Sequence, residues 1–215
     1  MLKQSHIHGH AAVLRVANFD TDQVMPKQFL RGIDKSGLKD GLFYDLRFDE
    51  SGKPKPEFFL NRAAYASTDI LIAGSNYGCG SSREHAVWGM QQYGFKAVIA
   101  SSFAEIFYSN AMGNGLLLVT LPEDQVQALM QEADDLGAPV AIEIDIEQCH
   151  IKSPQHAFTF PMSARHHQMF LEGLDVIGLT LTMKDQIDAF AQQHWSKQPW
   201  VKDIARKTVD RLQKE

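Results

Sequence analysis

The chain has 215 residues, of which 44% are hydrophobic, and this is enough to fill the core of a single domain. Its 21 basic and 26 acidic residues give a net charge of −5, which argues against nucleic acid or an anionic membrane as a partner. Two cysteines are too few for a disulfide scaffold, and too few for the three or four thiolates of an iron–sulfur cluster.

The sequence contains no stretch of eighteen apolar residues, and its N-terminal residues lack the long apolar core of a secretion signal, so we expect a cytoplasmic protein. His6, His8 and His10 alternate and would share one face of an extended segment. Alternating histidines alone do not build a closed metal site, and chain termini are usually mobile. We therefore predict a flexible segment over about residues 1–10 and a first strand over residues 12–16.

An acidic turn and a polar loop come next. Asp20, Thr21 and Asp22 are typical of a turn or helix cap, and Pro26 ends any helix that starts there. Residues 29–42 are rich in glycine, lysine and aspartate, a composition that predicts a mobile loop. Such a loop is either a lid over a site or an ordinary flexible segment.

Residues 69–85, DILIAGSNYGCGSSREH, predict a buried strand, a glycine-rich loop and the start of a helix. Glycines let the backbone approach a ligand closely, and free N–H groups at a helix start attract anions. A dinucleotide fingerprint would place its third glycine at Arg83, and no P-loop lysine follows. Two interpretations remain: Arg83 binds a carboxylate with its planar guanidinium, or the serines cap a helix and Arg83 forms an ion pair.

Strands and helices alternate after this segment. The pattern predicts strands over residues 97–100 and 116–121, a helix over 103–112 that breaks at 113–115, and a helix over 122–136. This order predicts a parallel sheet with helical crossovers. Ser102 follows the strand at 97–100, so it should lie near the loop at 78–83, or it caps the next helix.

From Val140 the pattern changes to short alternating strands, which predict an antiparallel portion with one face in water. Cys149 falls within it and is expected to be structural. Helices are predicted over residues 163–173, 184–195 and 200–212.

Three segments carry a resemblance to a known family: GCGSSREHA (78–86), DTDQVMP (20–26) and SFAEIFYSNAMGNGLL (102–117). They resemble the small subunits of 3-isopropylmalate dehydratase, which are homologous to the swivelling domain of aconitase. The resemblance extends from about Asp20 to Asp185. It implies an α/β fold and a single swivel-type β/β/α domain over residues 1–215. Such a domain has a parallel sheet with helical crossovers and an antiparallel portion. The C-terminal helices are expected over about 184–215.

The resemblance also implies roles for the loop residues. Ser81 matches the family's serine base, which acts as an alkoxide, and Arg83 matches its carboxylate-binding arginine. Ser82 would add a hydrogen bond to the substrate, and Gly80 would permit close backbone approach. Glu84 and His85 would fix the loop and the helix start, and the family gives Cys79 no catalytic task.

Residues outside this loop also match the family. Asp22 is expected to hydrogen-bond a histidine of the partner subunit, which protonates the departing hydroxyl. Leu30 could contact an isopropyl group of the substrate, whereas Arg31 could bind a further carboxylate. Asn110 and Asn114 would contact residues of the site but not the substrate itself.

The implied activity is the isomerisation of 2-isopropylmalate and 3-isopropylmalate in leucine biosynthesis. Its 4Fe-4S cluster is expected on a large partner subunit, with no metal bound by this chain, and this chain alone should be inactive. The substrate is a small dicarboxylate. Two alternatives stay open: Arg31 is compatible with a related hydro-lyase that acts on homoaconitate or citraconate-type acids, and the loop at 78–85 is compatible with a module that only binds an anion.

Overall fold

The computed structural model describes residues 2–30, 36–80 and 83–213. The chain divides into two compact units, Met1–Asp175 and Val176–Glu215. The single swivel-type domain over residues 1–215 therefore stays a prediction. No helix in the described ranges is both long and apolar enough to cross a membrane.

A mixed sheet forms the centre of the first unit. Its strands are β1 (His6–Leu14), β2 (Thr68–Ala73), β3 (Ala97–Ala100), β4 (Leu117–Thr120), β5 (Val140–Asp145), β6 (His150–Lys152) and β7 (Ala157–Thr159). Within the described ranges this sheet has seven strands in the order β4-β3-β2-β1-β5-β6-β7. Strands β1 to β4 run parallel, and β5, β6 and β7 are added antiparallel beyond β1. The predicted α/β fold class is confirmed.

Helices connect and cover these strands. In the first unit they are α1 (Thr21–Val24), α2 (Leu38–Gly41), α3 (Tyr44–Arg47), α4 (His85–Tyr93), α5 (Glu105–Asn114), α6 (Glu123–Leu136) and α7 (Ala164–Glu172), with short 3-10 helices at Lys27–Phe29, Phe59–Asn61 and Ala63–Tyr65. The second unit contains α8 (Val176–Leu181), α9 (Lys184–Lys197), a 3-10 helix at Pro199–Val201, and α10 (Ile204–Leu212).

Burial follows the apolar pattern of each strand. Strand β3, Leu117–Val119 of β4 and Ile70–Ala73 of β2 are buried on both faces, as expected for parallel strands that helices cover. In β5, buried Val140, Ile142 and Ile144 alternate with the more exposed Ala141, Glu143 and Asp145. The predicted antiparallel portion with one wet face is therefore confirmed.

The first strand begins earlier than predicted. β1 starts at His6 rather than after the histidines, because residues 6–11 pair with β5. This partner lies more than a hundred residues along the chain, so local sequence does not reveal it. His6 and His8 lie on the polar face, where they approach Asp145 (3.5 Å) and Glu143 (3.9 Å). Within the described ranges no group of three or more His, Cys, Asp or Glu side chains could hold a metal ion.

The predicted positions of the helices also differ from the structure in three places. α5 continues through Gly113 and Asn114 and ends at Gly115, whose φ of 86° gives the left-handed cap. Part of the predicted loop at 29–42 is helical, since α2 lies within it, and residues 31–35 of that loop lie outside the described ranges. The sequence did not predict α8.

A buried carboxylate ties α6 to the turn between β6 and β7. Glu132 is only 1% exposed. It accepts hydrogen bonds from the Ser153 hydroxyl (2.6 Å) and from the Gln155 backbone N–H (3.1 Å). A buried carboxylate is tolerated where such donors replace water.

We expect Glu132→Ala to lower the free energy of unfolding by about 2 kcal/mol, because the buried Ser153 hydroxyl and the part-buried Gln155 N–H lose their acceptor. Urea unfolding followed by circular dichroism measures this change. Glu172→Ala, at an exposed position on α7, is the control and should have little effect. Equal stability losses in the two variants would contradict the role given to Glu132.

Candidate active site

Two loops lie side by side at the carboxyl ends of β1 and β2. The N–H of Asn18 donates to the carbonyl of Ser75 (2.8 Å), and the N–H of Gly78 donates to the carbonyl of Phe19 (2.8 Å). Asn18 and Asn76 both have left-handed backbones, with φ of 55° and 54°, which asparagine tolerates better than most residues. The Asn76 side-chain amide donates to Asn18 Oδ1 (2.8 Å). These contacts fix the glycine-rich loop against the chain that leads to α1.

The next strand, β3, adds a third support. Ser102 Oγ accepts a hydrogen bond from the N–H of Asn76 (2.8 Å), and the carbonyl of Ser102 accepts one from the N–H of Tyr77 (3.2 Å). The prediction that Ser102 lies near this loop is confirmed. Its hydroxyl holds the loop rather than capping α5, whose first turn follows Ala104.

Gly78 and Gly80 have no room for a side chain. Gly78 has a φ of 80°, and a Cβ atom there would lie 2.3 Å from the ring of Phe107. Gly80 has a φ of 98°, and its Cβ would lie 2.4 Å from a carboxylate oxygen of Asp20. Both positions therefore require glycine. The close approach at Gly80 is made by Asp20, a neighbour within the protein that the sequence did not indicate.

Asp20 also begins α1. Its side chain accepts a hydrogen bond from the N–H of Asp22 (2.6 Å), and the side chain of Gln23 accepts one from the N–H of Asp20 (3.1 Å). The Asp20 side chain also accepts from the backbone N–H of Gln23, and this bond forms a reciprocal capping box with the one from Asp20 to Gln23. It places Asp22 in the first turn of α1, where its partly exposed carboxylate forms an ion pair with Lys27 (3.4 Å).

A small cleft brings several predicted site residues together. Asp22, Leu30 and Arg83 line it, with Met25 and His85 completing much of the wall. Its volume is about 10 Å³, roughly the space of one water molecule. The fold therefore brings residues from three separate segments of the sequence into one neighbourhood. Of the other predicted residues, Gly80 contacts Asp20, whereas Arg31, Ser81 and Ser82 lie outside the described ranges.

The sequence did not assign His85 to this cleft. His85 is the first residue of α4, and its ring packs on that of Trp88 with 5.0 Å between centroids. Trp88 Nε1 donates to Asn114 Oδ1 (3.1 Å), and Asn114 Nδ2 donates to the carbonyl of Asn110 (2.9 Å). Asn114 thus supports the cleft indirectly, through Trp88. His85 and Trp88 are three residues apart, and this spacing on a helix could have predicted their contact.

Cys79 is held as a thiol rather than as a thiolate. Burial, and then the nearby negative charge of Asp20, raise the pKa of Cys79 above its usual value. Its Sγ donates to the carbonyl of Asn18 (3.2 Å). The thiol therefore contributes to loop structure, and a nucleophilic role would require the opposite shift.

We expect the pH midpoint of Cys79 alkylation to lie above that of a free thiol, and Asp20→Asn to lower it. Asparagine keeps a cap acceptor and removes the charge, so the effect of burial remains and the effect of Asp20 is lost. Iodoacetamide rates against pH, in a Cys149→Ser background, measure the midpoint. Asp22→Asn is the control. An unchanged or higher midpoint in Asp20→Asn would contradict this account.

Comparison with known proteins shows one family over both units. A model described as the aconitase C-terminal domain matches residues 2–124, and one described as the C-terminal domain of the 3-isopropylmalate dehydratase small subunit matches residues 177–204. The chain is 57% identical to 3-isopropylmalate dehydratase small subunit 1 of Chromobacterium violaceum, over 99% of this chain and 100% of that protein. It is 46% identical to the 3-isopropylmalate dehydratase small subunit of Phenylobacterium zucineum, over 92% and 97% of the two chains.

A solved structure is also similar. The crystal structure of 3-isopropylmalate dehydratase from Methanocaldococcus jannaschii aligns with a TM-score of 0.59 and 26% identity, covering 86% of this chain and 99% of that one. The resemblance inferred from the motifs at residues 20–26, 78–86 and 102–117 is thereby confirmed. With such identity over nearly its full length, the chain belongs to the family of 3-isopropylmalate dehydratase small subunits.

Proposed function

We propose that this chain, with a large subunit, interconverts 2-isopropylmalate and 3-isopropylmalate by removing and re-adding water. It would thus be one subunit of a hydro-lyase in leucine biosynthesis. The observation that carries this proposal is the cleft in which Arg83, Leu30 and Asp22 meet. The names of the relatives at 57% and 46% identity support the same reaction.

The cleft offers complementary groups for such a substrate. Arg83 is exposed and lines the cleft, and its guanidinium can bind a carboxylate through two parallel hydrogen bonds. Half-buried Leu30 and buried Met25 supply the apolar surface that an isopropyl group requires. Because the cleft holds only about 10 Å³, the described residues form part of a site, and a partner would enclose the rest of the substrate.

We assign proton abstraction to Ser81, as the family motif implies. A serine hydroxyl is too weak an acid to lose its proton at neutral pH unless its surroundings stabilise the alkoxide. The positive charge of Arg83, two residues away in sequence, would provide part of that stabilisation. Ser82 would add a hydrogen bond to the substrate, and Arg31 would bind a further carboxylate.

We assign a positioning role to Asp22. It would accept a hydrogen bond from a histidine of the large subunit and so orient the acid that protonates the leaving hydroxyl. The capping box holds Asp22 at a fixed place, and Lys27 occupies its carboxylate in the isolated chain. Lys27 is 73% exposed at its side chain, so this ion pair is weak and a partner histidine could replace it.

The metal group of the reaction does not fit this chain. A 4Fe-4S cluster takes three or four cysteine thiolates, and the 215 residues include two cysteines, Cys79 and Cys149. The pKa of both thiols is raised by burial and by a nearby carboxylate, which disfavours the thiolate that a cluster needs. We therefore place the cluster on the large subunit, where it would supply a Lewis acid for the departing hydroxyl.

Reconstitution with the large subunit tests the substrate. The assay compares the hydration of isopropylmaleate, homoaconitate and citraconate, and we expect isopropylmaleate to give the highest kcat/KM. A preference for either other acid would instead assign the chain to a related hydro-lyase. Failure of the assembled protein to hydrate any of them, together with binding of a dicarboxylate, would favour the anion-binding module.

A further inference from the structure

Asp20 contacts both segments that lead to the proposed proton-handling residues. Its half-buried side chain caps α1, whose first turn contains Asp22, and it packs against Gly80, the residue before Ser81. The proposed function gives Asp20 no task of its own. The question is what one carboxylate does by contacting both segments.

On the side of α1, Asp20 fixes the place of Asp22. The Asp20 carboxylate accepts hydrogen bonds from the backbone N–H groups of Asp22 (2.6 Å) and Gln23. These are two of the donors that a helix start leaves unpaired. Without a side-chain acceptor at the cap, the first turn frays, and the position of Asp22 is no longer defined.

On the side of the glycine-rich loop, Asp20 holds the backbone that leads to Ser81. Asp20 and Cys79 pair as neighbours in a parallel sheet do, and the N–H of Thr21 donates to the carbonyl of Cys79 (2.7 Å). A Cβ atom at Gly80 would collide with both carboxylate oxygens of Asp20, so the carboxylate lies directly on this glycine. Asp20 therefore defines the course of the loop up to the residue before Ser81.

Dehydration needs the two residues at a fixed separation. The base removes a proton from one carbon while the acid protonates the hydroxyl that leaves the next carbon, so both must fit the same substrate at once. A misplacement of about 1 Å can cost about 100-fold in rate. A side chain that contacts the supports of both residues is suited to set this separation.

We propose that Asp20 is a positioning residue that fixes the separation between Ser81, the base, and Asp22, which orients the acid. This inference rests on the proposed function, because that function assigns the two roles. Asp20 acts through these two residues and makes no contact with the substrate. Its contribution is therefore to kcat rather than to substrate binding.

A double-mutant cycle in the reconstituted enzyme tests the proposal. We expect Asp20→Ala to lower kcat for 3-isopropylmalate about 100-fold and to change KM little. Asp20→Asn keeps an oxygen that can cap α1, so it should recover most of the activity. In a Ser81→Ala background, Asp20→Ala should cost no more than about tenfold, because the base that it positions is already absent.

The matched control is Asp49→Ala. Asp49 also accepts hydrogen bonds from two backbone N–H groups, those of Ser51 (2.8 Å) and Lys53 (2.9 Å), in an exposed turn. Its replacement should leave kcat unchanged. A cap without a part in catalysis would lower thermal stability alone, so a wild-type kcat in Asp20→Ala would overturn the proposal. Equal losses from Asp20→Ala with and without Ser81 would overturn it as well.

Hydrogen exchange separates this proposal from the proposed function. Exchange of the Asp22 N–H, in α1, and of the Gly78 N–H, which donates to the carbonyl of Phe19 in the loop contact, is followed by NMR of the full chain. We expect Asp20→Ala to accelerate exchange at both amides and Asp20→Asn to change neither. Acceleration confined to α1 would overturn the link between the segments. If both amides respond but the wild-type complex does not turn over isopropylmalate, the proposed function is wrong and the link through Asp20 stands.

Discussion

Ser81→Ala should lower kcat of the reconstituted enzyme by about 1,000-fold or more, while KM changes little. Removal of a positioned base typically costs about 10²–10⁴ in rate. The measurement is steady-state isomerisation of 3-isopropylmalate by the variant small subunit assembled with the wild-type large subunit.

Ser82→Ala is the matched control for Ser81→Ala. It removes the neighbouring hydroxyl from the same loop, and we expect a loss of about tenfold, as for one hydrogen bond. Normal turnover in Ser81→Ala would show that the base lies elsewhere. A larger loss in Ser82→Ala than in Ser81→Ala would exchange the two roles.

Arg83→Lys should lower kcat/KM by about 100-fold, although the charge is retained. Lysine cannot form the two parallel hydrogen bonds that arginine makes with a carboxylate, and its shorter reach would withdraw the cation from the cleft that Arg83 lines. The same isomerisation assay measures this loss. We expect KM to carry most of it, because carboxylate binding precedes the chemical step.

Arg62→Lys is the control for Arg83→Lys. Arg62 donates to the backbone carbonyls of Pro56 and Glu57 and does not line the cleft. Its replacement should leave the kinetics unchanged. A near-normal kcat/KM in Arg83→Lys would show that a point charge suffices, and that bidentate binding is not required.

The sequence predicted the central part of the fold well. The apolar runs at residues 70–73 and 97–100 are buried strands, because strands covered on both faces need uninterrupted apolar sequence. The helices predicted over residues 122–136 and 163–173 do end there, at Gly137 and Gly173, whose backbones are left-handed. Local sequence rules succeed here because the residues that carry the pattern are the same residues that form the strand or the helix end.

Errors arose where distant contacts decide the structure. The histidines at 6–10 look like a mobile terminus, yet pairing with β5 makes them strand. Gly113 looks like a break, but α5 passes through it, and a Cβ at this position would meet nothing within 4 Å. A helix tolerates one glycine at a cost of about 1 kcal/mol, which neighbouring packing offsets.

For the site, the motifs predicted which residues lie together better than what each of them contacts. Asp22, Leu30 and Arg83 come from separate segments and do line one cleft. The contact of Asp20 with Gly80 and the place of His85 in the cleft wall were not predicted. Both contacts depend on how α1 packs against the glycine-rich loop and α4. Local sequence patterns do not reveal this packing.

The central claim is that this chain supplies one part of an active site whose metal belongs to another polypeptide. Turnover of 3-isopropylmalate is measured for the isolated chain, for the iron-loaded large subunit, and for their mixture. We predict activity in the mixture alone. Turnover by the isolated chain, or iron retained by it after purification, would contradict the account.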